Sequence, residues 1–143
     1  MGLEYYALTV HITTVFALIA TVVVTDVLGL LWVTGRLETL SRRTLTVLHR
    51  LVWVGLLIMI VSGATMFLSY KEYLLTVPAF YVKMGFVLTL VVNAFVIGRH
   101  MHIATVRSFA ALSKEERRPL FISGAVSTTA WVGAVTAALM LEL

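Results

Sequence analysis

Four long apolar runs, about residues 6–33, 47–70, 77–100 and 120–141, leave this chain few ways to fold. About 20 apolar residues suffice to carry a helix across the roughly 30 Å of bilayer hydrocarbon, and each run meets that length. The chain is 60% hydrophobic and only 13% charged, with a mean hydropathy of +0.99. A soluble domain averages nearly half apolar and about a quarter charged. A chain of 143 residues cannot hide so much apolar surface in one core, so lipid must cover part of it. The expected fold is all-α: one integral membrane domain over residues 1–143, an antiparallel four-helix bundle.

Charge location sets the expected orientation. Nine of the eleven Lys and Arg flank the first and third connections: Arg36, Arg42, Arg43 and Arg50, then Arg99, Arg107, Lys114, Arg117 and Arg118. Only Lys71 and Lys83 fall on the other side. Positive charge collects in cytoplasmic loops, so both termini are expected outside, in the cytoplasmic membrane of a bacterium or archaeon. Tyr5, Tyr6, Tyr70, Tyr73 and Tyr81 would then form an outer aromatic belt, with Trp32 at the inner boundary. The sequence pI near 9.8 reflects these loops and not a nucleic-acid surface. The start, MGLEYYALTV, lacks the basic segment and cleavage site of a signal peptide.

No cysteine is present, which excludes disulfides, thiolate metal sites and cysteine nucleophiles. No phosphate-binding glycine loop, HExxH, GxSxG or CxxC occurs. Pro78 suits the first turn of the third helix, and Pro119 is expected to stop whatever precedes the fourth. Ser113 and Glu116 have capping-box spacing, within a third connection long enough for a surface helix or an extension of the third span. Six glycines, Gly55, Gly63, Gly85, Gly98, Gly124 and Gly133, spread over the last three spans and favour close helix packing, within the chain or between copies of it.

Ionisable groups inside apolar spans are costly, so each needs a partner or a task. Folding span one on span two about residue 40 sets His11 in an outer layer with Lys83, and Asp26 opposite Trp53. Folding span two on span three about residue 74 or 75 sets His49 opposite His100. An inner layer then holds Asp26, Asn93, His49, Arg50 and His100. His11, Thr14, Thr21 and Thr25 form a stripe expected to face inward, with Asp26 about 60° away and facing the same interior. His49 and His100 on facing helices are the arrangement a bis-histidine haem requires. Asp26 is expected either in a buried pair with Arg50 or His49, or on a proton path. Trp53 and the SGAVSTTAWVGA face of span four are expected to pack in the core.

One histidine early in span one (YYALTVHITTVF) and a third span opening PAFYVKMGFVLTLVV and closing on His100 resemble the HemJ-type protoporphyrinogen oxidases and their CopD-like relatives. The chain departs from that pattern at TTVFALIATVVVTDVLGLLW, which carries Asp26, and at SGAVSTTAWVGA, which lacks an Asn-x-x-Pro. The resemblance implies a membrane oxidoreductase with bound haem b. Its iron would be ligated by His11, with Lys83 as second ligand or functional partner; His49 and His100 are further cofactor-binding candidates from their facing positions alone. Lys83 would be catalytic on this resemblance, and Asp26 is a catalytic candidate from its costly place inside the span. A porphyrin or quinone-like molecule would exchange electrons there. The competing expectation is a transport or structural component that uses Asp26, Asn93 and His100 to line a proton or cation path.

Overall fold

The structure, a computed structural model, describes residues 2–141. Its elements are α1 (Leu3–Val33), α2 (Arg42–Leu74), α3 (Pro78–His100) and α4 (Lys114–Leu139), with two 3-10 turns, Met101–Thr105 and Phe109–Ala111, between α3 and α4. The described residues contain no strand, and all four helices are long and apolar enough to cross a membrane.

Local chemistry explains the helix ends. Gly35, at φ +73°, takes the left-handed conformation that closes α1, a position at which a side chain would be strained. Ser41 caps α2 by accepting from the Thr44 N–H at 3.3 Å. Pro78 opens α3 at a position where no backbone donor is missed. The Ser113–Glu116 capping box does form: the Ser113 N–H donates to Glu116 Oε2 at 2.8 Å, and the Glu116 N–H donates to Ser113 Oγ at 3.2 Å.

That box starts α4 itself, so Pro119 lies inside the helix and does not stop anything before it. The cap supplies the first turn with partners, and the proline removes only one bond, to the Glu115 carbonyl near the polar end. The third connection holds no surface α-helix: α3 runs on without a gap into a 3-10 turn as far as Thr105, and a second short 3-10 turn follows.

The bundle is built from two hairpins. α1 packs closely along α2 and α3 along α4, while α2 and α3 approach each other much less. Glycine sets the closeness within each hairpin. A Cβ at Gly55 would overlap Leu18, and one at Gly133 would overlap the Phe86 ring, so each glycine is the socket for a neighbour's side chain. Leu90, Ala130 and Ala134 continue the α3–α4 seam.

At the basic end, the two connections fold over the helix ends. Trp32, Leu40, Leu45, Ala104 and Leu112 form a buried cluster, with Phe109 edge-on to Trp32 at 5.2 Å. Trp32 Nε1–H donates to the Arg107 carbonyl at 3.0 Å, and the Leu40 N–H donates to the Ala104 carbonyl at 2.8 Å. The indole is therefore a buried strut, tying α1 to the third connection.

Candidate functional site

Register decides which polar groups meet. His11 touches Ser62, and Leu18 touches Gly55, so each step along α1 matches one step back along α2. This sets Asp26 level with Val47, and not with Trp53 as a fold about residue 40 implies. α2 begins at Arg42, five residues before the start of its apolar run, and the turn shifts accordingly. On the other side of α2, Phe67 stacks on Phe80 at 5.6 Å, and His49 lies against Gly98. That register sets Lys83 level with Ala64, two residues, or about 3 Å of rise, from the level of His11 and Ser62.

His11 and Lys83 therefore lie at nearly the same level. His11 is 9% exposed, and its Nδ1 lies 2.9 Å from Ser62 Oγ. The proton on that contact can be assigned. Ser62 has one hydroxyl hydrogen and donates it to the Ile58 carbonyl at 2.7 Å. Its oxygen must then accept from Nδ1–H, which leaves the His11 Nε2 with its lone pair free. Gly63 lies beside the ring, where an added Cβ would stand 3.4 Å from Cε1. Lys83 is half-buried on α3. Lys83 forms no ion pair, because the one salt bridge among the described residues joins Arg107 to Glu116.

The inner layer does not come together. Asp26 is exposed on α1, without an ion pair to Arg50 or His49. It projects from the outer surface of the hairpin and not into the bundle interior. Thr14, Thr21 and Thr25 each donate to the carbonyl four residues back in α1, so they offer no continuous polar path. Asn93 and Ser123 form a reciprocal pair joining α3 to α4. Asn93 Nδ2 donates to the Ser123 carbonyl at 3.1 Å, and Ser123 Oγ donates to Asn93 Oδ1 at 2.8 Å.

His49 and His100 do not face each other. The α2–α3 register sets His49 against Gly98, two residues short of His100. The His100 ring is exposed and bonded at Nδ1 to its own Val96 carbonyl at 2.8 Å. His49 Nε2 instead accepts the Trp53 Nε1–H at 3.0 Å, and Trp53 is 36% exposed, outside the core. His49 and His102 line one cavity.

Sequence reasoning missed Ser62. A hydroxyl in the middle of an apolar span, followed by Gly63, was the available signal, since a small residue and a small polar one together admit a ring from the next helix.

The His11–Ser62 contact holds the imidazole by Nδ1, and Lys83 lies at nearly the same level on α3. Metal-ligating histidines are oriented in this way, the second ring nitrogen donating to a fixed acceptor. No group of three or more His, Cys, Asp or Glu that could hold a metal ion is assembled among the described residues. Compared with known proteins, the chain matches no family model, no curated protein and no solved structure.

Proposed function

We propose that this chain is a haem b-binding membrane protein with a redox role, its haem held between the hairpins at the level of His11. The observation that carries this reading is the His11–Ser62 contact, which fixes the imidazole proton on Nδ1 and leaves Nε2 open. His11 would hold the haem iron, and Lys83 would pair with a propionate. Bound haem would supply reversible one-electron chemistry toward a porphyrin or quinone-like molecule.

The charge-free stretch of α2, Leu51–Tyr70, spans about 30 Å, and His11 lies about 12 Å inside its tyrosine-bearing end. The cluster of basic residues at the opposite end supports a cytoplasmic position for the connections and an external one for the termini. A proton or cation path through Asp26, Asn93 and His100 has less in its favour. One of these is exposed on α1, one is bonded to Ser123, and one is bonded to its own helix.

A reduced-minus-oxidised absorption spectrum of protein purified after haem-replete expression tests the reading. A b-type Soret and α band that disappears in His11→Ala is the expected result. Wild-type protein without these bands overturns it.

A further inference from the structure

Beneath the basic end lies a cavity of about 290 Å³ between the first turns of α2 and the end of α3. This is roughly ten times a water molecule's share of liquid volume, about 30 Å³. Arg42, Thr46, His49 and Arg50 line it from α2, and His102 and Thr105 face them. No carboxylate contributes to the lining, and neither arginine forms an ion pair. Two guanidinium groups thus border a cavity without an anion of the protein's own.

The wall is built, and it leaves donors open. Trp53 Nε1–H occupies His49 Nε2, so the neutral ring carries its proton on Nδ1, a free donor. Gly98 makes the space for that ring, because a Cβ there would stand 2.6 Å from His49 Nε2. Thr46 and Thr105 spend their hydroxyl protons on the Arg42 and His102 carbonyls, at 2.8 and 2.7 Å. The donors left are the two arginines and the histidines. Guanidinium groups match the planar, bidentate demand of phosphate oxygens.

We propose that this cavity binds a phosphate group, either free or carried by an anionic lipid headgroup. Its level is informative. Arg50 immediately precedes the charge-free stretch of α2, so the cavity opens where the apolar surface of the bundle ends and where lipid phosphates would lie. The site is separate from His11, which is twelve residues further along α2 by register, about 18 Å of rise.

The test is titration of the purified protein with two probes, inorganic phosphate and soluble dihexanoyl phosphatidylglycerol, followed by tryptophan fluorescence, to which Trp53 contributes. Saturable binding of at least one probe is expected, weakened at least about tenfold by Arg42→Gln or Arg50→Gln, the loss of one charge-assisted contact. Arg43→Gln removes a neighbouring charge outside the lining and leaves binding unchanged. Phosphatidylglycerol binding alone assigns the site to a headgroup. Binding of both probes assigns it to the phosphate itself. Circular dichroism checks that the variants fold, and either arginine variant alone suffices. Failure of both probes to bind saturably overturns the proposal, as does an equal loss in Arg43→Gln, which would mean diffuse surface charge.

Discussion

Nδ1 of His11 and Oγ of Ser62 stand 2.9 Å apart, and the serine's only hydroxyl proton is already committed to Ile58 at 2.7 Å. A residue on α2 thereby sets the tautomer of a residue on α1. Ser62→Ala removes the acceptor that Nδ1–H meets at 2.9 Å in a buried position, at a cost of about 1–3 kcal/mol. Denaturation of the reconstituted protein measures this. If haem is bound, the same change lowers its affinity about 10–100-fold, which titration of apoprotein with haemin reads separately.

Gly55 receives Leu18, which is 2% exposed and has no free space to retreat into. Gly55→Ala therefore overpacks the α1–α2 seam and destabilises by about 1–3 kcal/mol. Leu18→Ala restores the space, so the double variant should lose less than the two single losses combined. Additive losses would show that the seam is not packed in this way.

The reciprocal bonds between Asn93 and Ser123 tie the second hairpin together. Interhelical hydrogen bonds inside membranes couple by about 0.6 kcal/mol on average and up to about 1.7. A double-mutant cycle of Asn93→Ala and Ser123→Ala, each partner removed singly and together, should return a coupling within that range. A coupling of zero would mean that the two side chains do not meet.

Asp26 lies level with Val47, four residues or about 6 Å beyond the charge-free stretch that begins at Leu51. In a bilayer matched to that stretch, its carboxylate sits among headgroups. The chain has no cysteine, so a nitroxide at Asp26→Cys would be unique. It should be quenched better by a water-soluble nickel chelate than by oxygen. The same label at Phe16→Cys, 69% exposed and within the apolar level, should show the reverse.

Glu116 stands in the polar turn ahead of the charge-free part of α4. The Ser113 backbone N–H, and then Arg107, hold its carboxyl below the ordinary 4.5. A depressed acid stabilises the fold fully above its unfolded value and stops doing so as pH falls through its folded value. Protection of the first turn of α4 from hydrogen exchange should therefore weaken as pH drops below about 4.5, near the ordinary value for Glu. Glu116→Gln should show little of that pH dependence.

Much of this protein was legible in its sequence, because lipid-facing helices need long apolar runs and basic connections whatever their partners. Four spans, the role of Pro78 and the Ser113–Glu116 box all follow from local chemistry, and the helices form where the runs lie. So does the pairing in level of His11 with Lys83, since both lie near the same end of their spans. Tertiary structure alone decided register and rotation. Starting α2 at Arg42 moved Asp26 from the apolar interior toward the boundary, and placing Gly98 opposite His49 turned His100 outward. Ser62 became the partner of His11 for the same reason. A side chain's period along one helix says which neighbours it shares a face with, but only the packing of small residues against large ones fixes which residue on the next helix it meets.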